Sequence, residues 1–336
     1  MNNDEIEEEG ILVRKKAIVC SILIVFVLIF TVSCQREEGL KGNEAENTPD
    51  FEPIRFEEDH FRDEDSERRD EQRSWDDVDF ELEDFSPRDI PLAPGDDFDP
   101  SMFELAGGSE RDVREPSPVS NNLLQKQFPE TIVLRGNLDE NKVALTFDDG
   151  PDIRFTPMVL DVLDKHDVKA TFFMIGVRAM AHQDLVRRIH ESGHAIGNHT
   201  FWHPNLDRQR PDRLHWELTR TEEVLTNILG FQPRLFRAPY GSLNEELVDM
   251  LQALDFTVVG WNVDSLDWKQ EGADMIQTNV LSNVDFGSII LMHDGGDWTM
   301  DLSGTAEALD TIITKLKADG TEFVTVPELV GIPQAK

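Results

Sequence analysis

Two neighbouring carboxylates, Asp148 and Asp149, end an apolar run at residues 143–147 and are followed at once by Gly150 and Pro151. Neighbouring side chains of a strand point to opposite faces, so the two carboxylates cannot easily share one task. One interpretation gives them two adjacent chemical roles, made possible because Gly-Pro breaks the strand. The other is a plain turn in which they cap the next helix. This pair alone leaves both interpretations open.

A histidine pair, His199 and His203, follows a short apolar run at residues 194–197. Side chains four residues apart lie on one face of a helical turn and can bind one metal ion. Two histidines and one aspartate would leave positions for water and substrate, as a hydrolytic metal requires. His194 is the best alternative ligand, but we interpret it as structural.

Three further groups of reactive side chains follow predicted strands. Tyr240 is the only tyrosine of a chain that has 20 phenylalanines. His293 is suited to exchange a proton near neutral pH. Each group can also be an ordinary turn or helix cap. The groups are Arg237-Ala238-Pro239-Tyr240-Gly241, Asp264-Ser265-Leu266-Asp267-Trp268 and Ile290-Leu291-Met292-His293-Asp294-Gly295.

Strands and helices alternate from residue 141 onward, which predicts βαβ units and a parallel sheet. About seven such pairs favour a closed or distorted barrel, in which reactive groups sit at the carboxyl ends of the strands. Residues 121–140 are predicted to lead into it as an extra strand or cap. The predicted strands are 143–147, 170–175, 194–197, 235–236, 256–263, 288–292 and 323–326, and the predicted helices are 156–166, 184–191, 213–229, 245–254, 273–283 and 306–317.

Charge separates this domain, residues 141–336 with the lead-in before it, from an acidic arm. Residues 35–120 hold 29 Asp and Glu against 10 Lys and Arg, which is more than half of the net charge of −35. Such a stretch repels itself and buries little, so residues 34–120 are predicted to be a disordered linker. The acidity argues against a nucleic-acid partner, whose phosphates need Lys and Arg.

Residues 17–33 form an uncharged apolar run, preceded by a cytoplasmic arm (residues 1–16) that ends in Arg14-Lys15-Lys16. This pattern predicts a single-pass membrane anchor with the domain outside the cell. The alternative is a lipoprotein signal ending at Cys34. Cys20 and Cys34 are the only cysteines, so disulfides, thiolate nucleophiles and Cys-based zinc sites are excluded from the domain.

Taken in order, the five motifs resemble those of the polysaccharide deacetylases, which share the NodB homology domain and are also called carbohydrate esterase family 4. The resemblance covers about residues 141–331. It implies a distorted (β/α)7 barrel and metal-assisted removal of acetyl groups from N-acetylglucosamine-type sugars. Its motifs are Thr146-Phe147-Asp148-Asp149-Gly150, His199-Thr200-Phe201-Trp202-His203, Arg237-Ala238-Pro239-Tyr240, Asp264-Ser265-Leu266-Asp267-Trp268 and Leu291-Met292-His293-Asp294.

The resemblance assigns the ion to Asp149, His199 and His203, and leaves Asp148 free as general base. We expect zinc, with cobalt, nickel or manganese as alternatives. Arg237 would then position Asp148.

The rest of the reaction is assigned in the same way. The backbone N–H of Tyr240 would bind the oxyanion, and His293 would protonate the leaving amine. Asp267 would keep His293 charged, Asp264 would be a further catalytic residue, and Trp268 and Leu291 would wall the acetyl slot.

Two other functions remain open to the same residues. A glycoside hydrolase could use Asp148 and Asp264 as its carboxylate pair, but it would give His199 and His203 no role. A non-catalytic, surface-tethered glycan-binding protein is the second. For the deacetylase, the tether and acidic arm suggest a bacterial envelope polymer, peptidoglycan first, with chitin, xylan or an exopolysaccharide as alternatives. Nothing in the sequence sets the oligomeric state.

Overall fold

The computed structural model describes residues 104–114, 119–206 and 209–336, all within one compact unit, Glu81–Lys336. The predicted anchor at residues 17–33, Cys34 and the linker as far as residue 103 lie outside the described residues. Within the described part, no helix has both the length and the apolar character that crossing a bilayer requires.

A curled, entirely parallel sheet forms the centre of the domain, with the order β1-β6-β5-β4-β3-β2-β8-β7, and β9 pairs with β2. Parallel neighbours need a crossover between them, and the helices supply it. The expected α/β class with a parallel sheet is confirmed. The strands are β1 (Ile132–Val133), β2 (Lys142–Asp148), β3 (Thr171–Met174), β4 (Ala195–Asn198), β5 (Leu235–Phe236), β6 (Thr257–Val259), β7 (Val263–Asp264), β8 (Ile289–His293) and β9 (Glu322–Phe323).

Ten helices of the described residues pack around this sheet. They bury apolar faces against the outward side chains of the strands, such as Leu145 and Phe147 of β2 and Ile290 of β8. The helices are α1 (Glu110–Val113), α2 (Val119–Gln127), α3 (Thr156–His166), α4 (Gly176–Ala181), α5 (Gln183–Glu191), α6 (Pro211–Leu229), α7 (Glu245–Ala253), α8 (Ala273–Asn283), α9 (Ser303–Ala318) and α10 (Val326–Val330).

Strands β2 and β8 are fully buried beyond Lys142 and set the geometry of the site. Because side chains alternate along a strand, Thr146 and Asp148 face the inside of the curled sheet while Phe147 joins the outer core. The parallel register places Asp148 beside His293. Both side chains therefore reach the same carboxyl end of the sheet.

Strand β1 lies in the predicted lead-in and pairs with β6, and α2 comes before it. The predicted disordered linker, residues 34–120, differs from the structure near its carboxyl end. Helix α1 lies within the stretch assigned to a disordered linker, yet residues 104–114 contact the domain through hydrogen bonds to Trp202 and His203. The charge average over a long acidic window hid a short segment that docks on specific partners.

Candidate active site

The predicted functional side chains come together at the carboxyl ends of the strands. Asp148 ends β2 and His293 ends β8, while Asp264 ends β7. His199 and Arg237 directly follow β4 and β5, whose ends are paired through Asn198 and Phe236. The last residues of parallel strands lie at one edge of the sheet, so five distant parts of the chain meet there. We call this carboxyl end of the sheet, with the side chains around it, the mouth.

Asp149, His199 and His203 form a cluster that could hold a metal ion, with ligand atoms all within 4.8 Å of one another. Asp149 Oδ1 lies 3.3 Å from His199 Nε2 and 3.1 Å from His203 Nε2. All three side chains are buried. Asp149 and His203 have left-handed backbone with φ of 71° and 57°, a strained conformation that collects at functional sites.

The orientation of these side chains fits a cation. The ring N–H of His199 at Nδ1 donates to the carbonyl of Arg237 at 2.8 Å, which directs Nε2 towards Asp149. His203 Nδ1 donates to the hydroxyl of Tyr240 at 3.1 Å, and that hydroxyl donates to the carbonyl of Gly108 at 2.6 Å. Such outer contacts orient metal ligands.

Two buried atoms of the cluster lack a hydrogen-bond partner within the described residues. They are Asp149 Oδ1 and His203 Nε2, and their short separation does not have hydrogen-bond geometry. Burial pushes the pKa of Asp149 up, but the two histidines outweigh it and hold this pKa well below its usual value. An ionised carboxylate and two imidazoles are a donor set suited to zinc or a similar divalent ion.

Asp148 stands beside this cluster and is held by a different partner. Its Oδ1 accepts from Arg237 Nη1 at 2.7 Å, and its Oδ2 lies 3.8 Å from His199 Nε2. Arg237 also donates to Thr146 Oγ1 and to the carbonyls of Val259 and Gly260. The guanidinium is thereby fixed on all sides and fixes one carboxylate oxygen, leaving the other directed at the cluster.

His293 forms the second charged pair of the mouth. Its Nδ1 donates to Asp267 Oδ1 at 2.7 Å, while Nε2 is buried without a hydrogen-bond partner in the described part. Burial pulls the pKa of His293 down, but Asp267 outweighs it and raises this pKa to about 10. The ring is therefore charged at neutral pH. The backbone N–H of His293 and Thr305 Oγ1 donate to Asp267 Oδ2 and fix the carboxylate.

Tyr240 lies in a short 3₁₀ turn, Pro239–Gly241, and its own backbone is left-handed with φ of 58°. Its side chain supports His203, as described above, and burial raises the pKa of the phenol, which keeps it protonated. The expected contact of its backbone N–H with an oxyanion stays a prediction.

Trp268 and Leu291 are buried at the same end of the sheet. Leu291 is two residues before His293 on β8 and so faces the same side. The carboxylate of Asp264 accepts from Arg114 Nη2 at 2.6 Å and from the indole of Trp268 at 3.3 Å, and its catalytic role stays a prediction. These contacts hold the rim of the mouth.

Three residues of the site were missed from the sequence. Arg178, fully buried in α4, donates to the carbonyls of Asp149 and Gly296 and so fixes the backbone of a cluster residue. Thr146 and Thr305 orient Arg237 and Asp267 as described above. Thr146 could have been found from the alternation of β2, whereas no local signal marks Arg178 or Thr305.

Glu110 and Arg114 were also missed, because both lie in the acidic stretch. Glu110 is 4% exposed, and burial raises its pKa to about 7 against the opposing charges of His293 and Arg114. Their spacing of four residues, from the start of α1 to the residue after its end, was the available signal, and their side-chain atoms lie 3.6 Å apart.

His194 takes the structural role expected of it. Its Nδ1 accepts from the backbone N–H of Ala170, and its ring packs edge-on against Phe172. It lies before β4 rather than after it, away from the cluster.

The chain is similar to known enzymes over the region that carries this site. The family model described as polysaccharide deacetylase matches residues 135–259. A peptidoglycan-N-acetylglucosamine deacetylase of Bacillus cereus is 45% identical over 196 residues, which are 58% of this chain and 70% of the relative. The PgdA enzyme of the same description from Listeria monocytogenes is 35% identical over 264 residues, covering 76% of this chain and 52% of the relative.

Solved structures give the same result. The Bc1960 peptidoglycan N-acetylglucosamine deacetylase is 41% identical, with a TM-score of 0.60, covering 63% of this chain and 99% of that one. A carbohydrate esterase 4 pseudoenzyme from Bacillus anthracis, BA3943, is 32% identical with a TM-score of 0.55, covering 59% and 68%. The Bacillus cereus deacetylase is 45% identical to the chain, and the match covers 70% of that enzyme. The chain therefore belongs to the polysaccharide deacetylase family.

Proposed function

We propose that this protein is a metal-dependent deacetylase that hydrolyses N-acetyl groups of a glucosamine-containing polysaccharide, peptidoglycan first, in a distorted (β/α)7 barrel. One observation carries the proposal: a metal-ligand cluster, a held carboxylate and a charged imidazole lie together at one mouth. The peptidoglycan deacetylases among its relatives support the substrate class.

Asp148 is the proposed general base. A divalent ion held by Asp149, His199 and His203 would polarise the acetyl carbonyl and make water more acidic. Asp148 then accepts the proton as the water oxygen bonds to the carbonyl carbon. Arg237 aims the carboxylate, since its donors hold Oδ1 and leave Oδ2 free to receive the proton.

The second half of the reaction needs an oxyanion donor and an acid. The backbone N–H of Tyr240 is the proposed donor to the oxyanion, and its loss would cost about 10²–10³ in rate. His293 gives its Nε2 proton to the sugar nitrogen as the carbon–nitrogen bond breaks, releasing acetate and a free amine. Asp267 supplies the opposite charge that keeps the proton available.

The two alternative functions make different demands on the same residues. A glycoside hydrolase would use a pair of carboxylates such as Asp148 and Asp264 and would leave the His199–His203 pair without a role. A binding module needs no base or acid, and the similarity to a pseudoenzyme keeps it as an outcome to be tested.

The proposed place of action is the bacterial envelope. The apolar run at residues 17–33 with its basic flank supports a membrane anchor, and Cys34 supports lipidation as the alternative. Cell fractionation of the intact chain and of Cys34→Ala tests this. Membrane association that survives the substitution supports the anchor, and its loss supports the lipid.

The activity itself is tested by acetate release from N-acetylglucosamine oligomers and from peptidoglycan, with and without a chelator. We expect acetate and free amines with no shortening of the chain, and activity that a chelator removes and zinc restores. Bound metal without acetate would favour the binding module. Shortened oligomers would favour the glycoside hydrolase.

A further inference from the structure

Residues 104–114, which we call the strap, lie directly over the proposed active site. Two backbone hydrogen bonds hold the strap to the metal-ligand loop, from the N–H of Ala106 to the carbonyl of Trp202 at 2.9 Å and from that of Gly107 to the carbonyl of His203 at 3.1 Å. Leu105 anchors it in the outer core. The strap also lies outside residues 135–259, which the family model matches.

The strap fits closely on Tyr240. A Cβ atom added at Gly107 would lie 2.4 Å from Tyr240 Oη and 2.9 Å from the backbone nitrogen of Asn205, which leaves no room for a larger residue. Gly108 accepts the hydroxyl proton of Tyr240 at 2.6 Å. The backbone of the strap therefore packs against Tyr240 too closely to admit a side chain at residue 107.

Helix α1 carries charged side chains into the mouth. Glu110 is buried with Oε2 lacking a hydrogen-bond partner in the described residues, and its charge interacts with those of His293 and Asp149. Arg114 pairs with Asp264 at 2.6 Å.

The guanidinium of Arg114 also covers the aromatic rim. It lies 4.7 Å from the ring centre of Trp261 and 5.2 Å from that of Trp268. Aromatic faces at the entrance of a sugar site are the surfaces that a sugar ring would otherwise cover, and here they are already occupied.

The burial of the catalytic groups conflicts with a polymeric substrate. Asp148 is 3% exposed and His293 and Asp149 are each 1% exposed. A glycan chain is too large to enter a closed interior and must lie in an open cleft, with its acetyl group reaching these atoms. The strap, which is hydrogen-bonded to the metal-ligand loop, is one of the segments that limit access to them.

We propose that the strap occupies the glycan-binding cleft of its own chain and holds the enzyme in a closed, autoinhibited state that substrate must displace. The proposal rests on the deacetylase function proposed above. Arg114 contacts Asp264 and the two tryptophans of the rim. Glu110 interacts electrostatically with His293, so the strap acts on both charged groups of the mouth. The apparent affinity for glycan then falls in proportion to the fraction of open molecules.

The test uses the full-length chain with zinc and a hexamer of N-acetylglucosamine. Arg114→Ala removes the pair with Asp264 and the rim stacking, so we expect kcat/KM for acetate release to rise about tenfold, the equivalent of one charged hydrogen bond. Gly107→Ala, which introduces the clash with Tyr240, is expected to act in the same direction. Arg111→Ala is the matched control, because Arg111 is exposed on the same helix, and it should leave kcat/KM unchanged.

A second readout does not depend on turnover. Amide hydrogen exchange at Ala106 and Gly107 should become faster when the hexamer is added, because the glycan displaces the strap. Slower or unchanged exchange overturns the proposal, and so does a loss of activity in Arg114→Ala, which would mean that the strap completes the site. Faster exchange without acetate release would support the displacement of the strap by glycan and contradict the proposed deacetylase function. Acetate release with unchanged exchange would support the deacetylase function and contradict the displacement of the strap.

Discussion

At the carboxyl end of the sheet, buried polar atoms without hydrogen-bond partners face one another, whereas at the amino end of the described part His194 Nε2 is buried without a partner outside any such cluster, and Asp285 is exposed and paired. Asp149 Oδ1, His203 Nε2 and His293 Nε2 are among the unpartnered atoms of the mouth. At the opposite end, Asp285 accepts from Arg135 at 2.7 Å and from Ser288 at 2.9 Å.

The amino end also holds a cavity of about 570 Å³. Its walls include Val143, Leu281, Val284, Phe286 and Leu316. A large apolar pocket is the default choice for a binding site, but it needs convergent polar groups as well. The polar groups around this cavity, among them Asn141, Asp285, Lys315 and Asp319, are exposed or half-buried, and none belongs to a cluster in the described residues that could hold a metal ion. The difference teaches that unpaired buried polarity, rather than empty volume, locates the chemistry.

Replacing the cluster should have the largest effect. His203→Ala removes a ligand, so we expect bound zinc to be lost and activity to fall to background. Asp148→Asn keeps the shape and the cluster, so metal content should stay while the rate falls by about 10²–10⁴, the share of a general base. Metal analysis beside acetate release checks both. Activity retained in both variants would mean that the roles are assigned wrongly.

The support of His203 by Tyr240 should have the next effect. Tyr240→Phe removes the acceptor of the His203 Nδ1 proton while keeping the ring and the backbone, so we expect metal affinity to fall about 10–100-fold. Competition with a chelator of known affinity measures it. Unchanged affinity would show that the hydroxyl serves only the strap through Gly108.

The pair of His293 and Asp267 predicts the alkaline limit of the reaction. The pKa of His293 is raised from 6.5 to about 10, so the pair stabilises the fold fully below pH 6.5 and this contribution is lost as pH rises towards 10. In Asp267→Asn the charge that offsets burial is gone, so the pKa of His293 should fall. The alkaline limb of kcat/KM should then move to lower pH, with about tenfold less activity at pH 8.

The control for this variant is Asp264→Asn, an identical change three residues earlier. Asp264 binds Arg114 and Trp268 instead of His293, so the position of the alkaline limb should stay where it is. An equal shift in both variants would mean that general charge, rather than the specific pair, sets the pKa.

Reactive residues at strand ends can be recognised from short motifs, whereas the bounds of strands and helices also depend on contacts that are distant in the sequence. Helices α3 and α8 were predicted to their observed bounds from apolar periodicity. The run 256–263 was predicted as one strand, but β6 ends at Val259. The side chain of Arg237 donates to the carbonyls of Val259 and Gly260. These carbonyls therefore bond to a side chain that is distant in the sequence instead of to a neighbouring strand.

Other misses have equally local causes. The predicted strand 323–326 ends at Phe323, because Thr325 and Glu328 form a capping box that starts α10. That signal was present in the sequence and was overlooked. Helix α4 is too short for periodicity and buries Arg178, which a polar–apolar pattern reads as surface. The strap was hidden for the reason already given, an average over a long acidic window.

The smallest expected effect tests the amino end. Phe286 is 46% exposed at the rim of the cavity, so little apolar area is lost from the core in Phe286→Ala. We expect the free energy of unfolding to change by no more than about 0.5 kcal/mol and kcat/KM to stay the same. Denaturant unfolding and acetate release measure the two. A clear loss of activity would give the cavity a part in catalysis and would end the contrast between the two ends of the sheet, because volume would then mark function as well as unpaired polarity does.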